Sequence, residues 1–158
     1  MEIKNIIDED FSNYKECSMF IGFPSCTFKC EKECNCHGMC QNSELVKSPN
    51  IEVSAQAIVK RYLSNPLSRA MVLGGLEPFD SYPQLLELLS EFRKYTNEEF
   101  IIFTGYTKDE IFPLLEDLNI YDNIIIKFGR FIPNQEKHYD EVLGIYLASS
   151  NQHAEKIS

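Results

Sequence analysis

The sequence predicts a single α/β domain built on mostly parallel strands. Three observations point there. Apolar runs of strand length alternate with segments of helical periodicity. The runs are uninterrupted, which fits a sheet covered on both faces or one curled around a core. The chain has 158 residues, which suits one hydrophobic core and one domain over residues 1–158.

In chain order, residues 17–22 (CSMFIG) read as a buried strand and residues 51–53 as a short extended piece. Ser54 caps a helix reaching about Leu63, with Ile58, Val59 and Tyr62 on one face, and Asn65-Pro66 stops it. Residues 69–73 form the next strand and run into Gly74-Gly75. Ser81-Tyr82-Pro83-Gln84 resembles a capping box, followed by Leu85, Leu86, Leu88, Leu89 and Phe92 at helical spacing. Phe100 to Thr104 is a strand; Thr107 to Glu110 is a second capping box ahead of Ile111, Leu114, Leu115 and Leu118, with Pro113 expected to kink or delay that helix. Asn123 to Lys127 and Leu143 to Leu147 complete the strands. Such an alternation means parallel strands joined by right-handed crossovers. Ligands of these folds sit at the carboxyl ends of the strands. The cysteine loop, Gly74-Gly75 and Thr104-Gly105 each follow a strand directly, so they are expected to meet at one edge.

Apolar residues make up 44% and charged residues 25%, the balance of an ordinary globular protein. A net charge of −9 repels phosphate backbones, so nucleic acid is not an expected partner. No apolar run approaches the ~20 residues a membrane span needs, and no membrane association is expected. The start, MEIKNIIDEDF, lacks the basic region and apolar block of a secretory signal, which predicts a cytoplasmic protein.

Of six cysteines, Cys26, Cys30, Cys34, Cys36 and Cys40 lie between residues 26 and 40, while Cys17 stands apart. Disulfide frameworks spread cysteines along a secreted chain; local crowding in a reducing compartment points to metal. Thiolates ligate both zinc and iron–sulfur clusters. Zinc sites favour two short cysteine pairs, whereas this loop has x3 spacings, so an iron–sulfur cluster is favoured and zinc, with His37 as a further ligand, stays open.

Cys26-x3-Cys30, the closure Cys40-Gln41-Asn42 and Gly74-Gly75-Leu76-Glu77-Pro78 together resemble the radical S-adenosylmethionine (SAM) superfamily. Within it the chain is most similar to the activating proteins of anaerobic ribonucleoside-triphosphate reductase. Asp10-Phe11-Ser12-Asn13, Phe103-Thr104-Gly105-Tyr106-Thr107, Gly129-Arg130-Phe131 and Ala148-Ser149-Ser150-Asn151-Gln152 extend the resemblance over nearly the whole chain. The family spacing is C-x3-C-x2-C; here it is C-x3-C-x9-C, with Cys34 and Cys36 inside the insertion, either of which could replace Cys40 or add a fourth ligand.

The resemblance implies a partial (β/α)6-type open barrel and a 4Fe–4S cluster on Cys26, Cys30 and Cys40. It implies that Gly74, Gly75 and Glu77 bind the methionyl end of SAM, that Met39 packs the adenine, and that Thr104, with Tyr106, lines the ribose pocket. Asn151 and Gln152 either reach the cofactor or close the last turn. No protein side chain is assigned a catalytic role. The implied activity is reductive cleavage of SAM, by an oxidoreductase that places a glycyl radical on a reductase partner under anaerobic conditions. Flavodoxin or ferredoxin is the expected electron donor. Action on another protein or peptide, or a non-catalytic iron–sulfur or zinc module, are the rival readings.

Overall fold

The computed structural model describes residues 1–35 and 38–158. Cys36 and His37, to which a ligand role was open, lie outside the described residues. The elements begin with β1 (Glu2–Ile3), β2 (Asn5–Asp10), β3 (Ser18–Phe23), α1 (Lys29–Cys34), α2 (Ser43–Lys47), β4 (Ile51–Glu52) and α3 (Ala55–Ser64). They continue with β5 (Ala70–Gly75), a 3₁₀ turn (Pro78–Ser81), α4 (Tyr82–Arg93), β6 (Glu99–Phe103), α5 (Lys108–Leu118) and β7 (Ile124–Phe128). The chain closes with β8 (His138–Asp140), β9 (Ile145–Leu147) and β10 (His153–Lys156).

The domain is mixed α/β. Its central sheet has the order β10-β7-β6-β5-β3-β2. The inner four strands, β3, β5, β6 and β7, are parallel, while β2 and β10 pair antiparallel at the edges. Side chains alternate between the faces, as the two-residue period of a strand requires. Met71, Leu73, Phe100, Ile102, Ile124 and Ile126 pack against Ile58, Tyr62, Leu88, Phe92, Ile111 and Leu115 of the helices. Val72, Ile101 and Ile125 face the other way and are covered by Tyr14, Leu143, Leu147 and Ala154. Both faces are thus buried, which explains the uninterrupted apolar runs of β5, β6 and β7.

Several local expectations need correction. The amino-terminal segment, to which no strand was assigned, contains an edge strand, Asn5–Asp10, half-buried and acid-rich. Charge on such a strand discourages edge-to-edge pairing with other chains and hides the strand from a search for apolar alternation. Ser81 caps nothing. Its hydroxyl pairs with that of Ser25 at 2.8 Å, and Gln84 accepts from the Glu2 amide at 3.0 Å. Residues 143–147 split into a turn around Gly144 (φ +70°) and the short β9, which pairs only with β8. The polar segment His153–Lys156, which shows no apolar alternation, is the edge strand β10.

The Thr107–Glu110 capping box is formed, with the Thr107 amide donating to Glu110 Oε2 at 2.8 Å. The helix runs on through Pro113 to Leu118. Ser54 caps α3 by accepting from the Ala57 amide at 3.1 Å. Among the described residues no helix is long and apolar enough to cross a membrane.

Candidate metal centre and cofactor cavity

The loop that leaves β3 is strapped across the carboxyl edge of the sheet. The Ser25 carbonyl accepts from the Glu77 amide at 2.9 Å, and the Thr27 amide donates to Asp80 Oδ2 at 2.6 Å. Phe28 then adopts a left-handed conformation (φ 54°), uncommon for an aromatic residue. This turns the chain so that its amide donates to Cys26 Sγ at 3.2 Å and α1 begins. Asn35, also left-handed, ends α1. Glu31 reaches back to accept from the Cys40 amide at 2.9 Å, which ties the third cysteine to the helix that carries the second. Beyond it, Lys4 Nζ holds the far end of α2 by donating to the carbonyls of Val46 (3.1 Å) and Ser48 (2.6 Å).

A cavity of about 190 Å³ lies under this loop. Cys26, Cys30, Cys40, Gly75, Glu77 and Thr104 all stand on its wall, together with Tyr106, Lys127, Arg130 and Gln152. Gly74 does not: it is buried in β5, where an added Cβ would meet the ring of Phe20 and the Cβ of Phe103. Met39 is 47% exposed and is also off the wall. Asn151 closes a turn, donating to the Arg130 carbonyl at 2.8 Å. Cys34 is on α1 but not on the wall. Gly75 (φ +78°) sits where a side chain would collide with Leu45 of α2, so its lack of one permits the loop to dock. Its carbonyl accepts from the Asn42 side-chain Nδ2 at 2.5 Å, so a loop residue already occupies one side of it.

Glu77 is buried and fixed by three donors: Thr104 Oγ1 (2.7 Å), the Gly105 amide (2.8 Å) and the Phe79 amide (3.2 Å). Burial outweighs these donors and pushes its carboxyl up to about 7. Lys127 was read only as the end of an apolar strand. Its period-two position continues the Val72–Ile101–Ile125 face to the cavity, and burial lowers its ammonium to about 8, against the opposing pull of the Glu77 charge. The signal was present, a single charge ending a continuous apolar run.

Arg130 pairs with Glu110 through two nitrogens (2.8 and 2.5 Å). Its Nε lies 3.0 Å from Glu33 of α1, an ion pair without hydrogen-bond alignment. The guanidinium holds Glu110 down to about 2, and Lys29 of α1 adds a contact to Glu110 at 3.5 Å. These charges clamp the cysteine loop to the opposite rim, formed by α5 and the turn after β7.

Burial opposes ionisation of two of the thiols. Burial pushes Cys26 up to about 12, and burial together with the neighbouring Cys40 raises Cys30. They stay protonated until a cation takes the proton's place, the usual condition of a site whose loading releases protons. Among the described residues no three Cys, His, Asp or Glu side chains converge as a single ion requires. Cys26, Cys30 and Cys40 line one cavity, and thiolates around a shared space are the ligands of an iron–sulfur cluster. Soft sulfur donors on a largely apolar wall fit such a group, and Cys26, Cys30 and Cys40 are the thiols that could hold it.

A parallel sheet that opens on a thiol-lined, charged cavity defines a metallocofactor-binding domain. Residues 15–154 match the family of 4Fe-4S single cluster domains, and the chain belongs to it. The protein is therefore an iron–sulfur protein. No curated protein and no solved structure matches it.

Proposed function

We propose that the domain is a radical SAM enzyme of the glycyl-radical activating type, acting in an anaerobic cytoplasm on an anaerobic ribonucleotide reductase. The observation that carries this reading is the meeting of Cys26, Cys30 and Cys40 with Gly75, Glu77 and Thr104 around one cavity. The glycine turn, the buried carboxylate and the strand-end threonine stand on the same wall as the thiols, which supports a pocket for a second ligand beside the cluster. In this reading the sheet is the wall of an open (β/α)6-type barrel whose concave side is the reaction chamber.

Cys26, Cys30 and Cys40 would hold the cluster, which when bound would supply the electron for reductive cleavage of SAM. Gly75 lets the bound methionyl group approach the backbone, and Glu77 presents a negative pole to its ammonium. Thr104 keeps Glu77 oriented by donating to it. Tyr106, whose hydroxyl donates to Asp80 at 2.6 Å, walls the ribose side. The clamp of Arg130, Glu110 and Glu33 keeps the loop closed and solvent out. A flavodoxin or ferredoxin delivers the electron.

One observation favours a second reading. Cys34 lies within electrostatic reach of Cys30, and as a fourth ligand it would close the open iron and leave an electron-transfer module. Anaerobic reconstitution with iron and sulfide, followed by SAM without reductant, separates the two. A change in the cluster's spectrum on adding SAM supports the enzyme; a fully loaded cluster with no response supports the carrier.

A further inference from the structure

The helix α2, which follows Cys40, has five residues, and none of them is buried. Five is far below the ~12 that an isolated helix needs in water, so tethers at its ends must keep it in place. At its start the Ser43 amide donates to the Cys40 carbonyl at 3.1 Å, which couples the helix to the third cysteine of the cavity wall. At its end Lys4 Nζ donates to the carbonyls of Val46 and Ser48, acceptors that a helix terminus leaves without intrahelical partners. Lys4 is 9% exposed, and a buried ammonium is costly unless its bonds compensate it. The other side of Lys4 is anchored to the sheet. Its amide donates to the Gly22 carbonyl of β3 at 2.7 Å, and the preceding Ile3 is buried and pairs with Ile51 in the β1–β4 ladder. Met1 and Val53 exchange two bonds at 3.0 Å and extend that pairing. Lys4 thus carries the rigidity of the sheet edge, 36 positions before Cys40 in the chain, to the segment on which Cys40 hangs.

We infer that Lys4 is a positioning residue of the metal centre: by fixing the far end of α2 it holds Cys40 on the cavity wall, and without it Cys40 leaves the cluster more readily than Cys26 does. Lys4 touches neither thiol nor cavity and acts only through α2. The inference rests on the proposed ligation by Cys40. Cys26 is held independently, on the loop strapped by Ser25 and Thr27 to Glu77 and Asp80, and so serves as the internal reference. A lysine that merely closes a helix end would loosen the domain as a whole and would not separate the two thiols.

The experiment measures thiol protection in the anaerobically reconstituted protein. Wild type, K4M, K4Q and K4R are loaded with iron and sulfide, their iron content and circular dichroism are checked, and each is alkylated with iodoacetamide. Mass spectrometry of the peptides gives the rate at each cysteine, and the same rate in the cluster-free chain gives the protection that the cluster confers. A hydrogen bond from a charged donor corresponds to about tenfold in an equilibrium. In K4M the protection of Cys40 should fall by about that factor while that of Cys26 stays as in wild type, and release of iron to a chelator should quicken. K4R, which keeps the charge and the donors, should recover most of the protection, and K4Q replaces K4M if that variant does not fold. Equal protection of Cys40 in wild type and in the neutral variants overturns the inference, as does a parallel loss at Cys26 and Cys40. In either case a Cys40 protected in wild type leaves its ligation standing. A loaded wild type whose Cys40 reacts as fast as in the cluster-free chain overturns that ligation and the role of Lys4 together.

Discussion

Replacing Lys127 by methionine keeps most of the aliphatic stem and removes a buried positive charge. Burial lowers its ammonium from 10.5 to about 8, and at about 1.4 kcal/mol per pKa unit, keeping it charged at pH 7 costs the folded state about 3 kcal/mol. The lost hydrogen bond to the Gly129 carbonyl returns about 1 kcal/mol of that, since Gln152 continues to satisfy the acceptor. Lys127→Met should therefore stabilise the reduced, cluster-free chain by about 2 kcal/mol at pH 7, read from urea unfolding with an unchanged slope. The sign with pH follows from linkage. A base whose folded pKa is lowered releases its proton first in the folded state, so wild-type stability rises between pH 8 and 10.5, and the advantage of the variant shrinks over that window. A variant less stable than wild type at pH 7, with a gap that does not move with pH, refutes the idea that burial makes this cation costly to the fold.

Three further outcomes are expected. Glu110→Gln removes the charge that Arg130 clamps; because Glu110 is partly exposed the loss is about 1 kcal/mol, and α1 becomes easier for a protease to cut. Arg130 depresses the Glu110 pKa from 4.5 to about 2, so the wild-type advantage is complete above pH 4.5 and fades as pH falls towards 2, which acid titration of both proteins by circular dichroism checks. Gly75→Ala forces a side chain into a φ of +78° and to 2.6 Å from Leu45 Cδ2. It should cost about 1–3 kcal/mol and lower cluster loading, whereas an unaffected melting midpoint would show that α2 gives way freely. Cys40→Ala should lose the cluster and Cys34→Ala should keep it, scored by iron and sulfide content; loss of the cluster in both would mean a site of four thiolates.

The parallel core was legible because its strands are buried on both faces: MVL, FIIF and NIII cannot be mistaken for solvent-facing segments. The cap of α5 was legible for an equally local reason, since Thr107 and Glu110 satisfy each other's backbone with no help from elsewhere. The edge strands were not, because β2 and β10 bury little and are rich in charge. Ser81 misled because its hydroxyl is claimed by Ser25, a residue 56 positions away that no local pattern can supply. Around the cavity, the cysteine loop, Gly75 and Thr104 were legible as strand-end residues that meet at one edge, while Glu77 came from the resemblance. Met39 and Gly74 depend on how the loop and the end of β5 turn, which spacing does not determine. Lys127 needed the register of four parallel strands before its side could be known. The short helix α1 was invisible in KCEKEC, where alternating charges and cysteines leave no apolar stripe.

The most direct test of the central claim is product formation by the reconstituted protein. With its iron and sulfide complement restored anaerobically, then dithionite and SAM added, the protein should release 5′-deoxyadenosine and methionine in equal amounts, and the Cys40→Ala variant should release neither. A fully loaded, reduced wild-type cluster that leaves SAM intact would contradict the account.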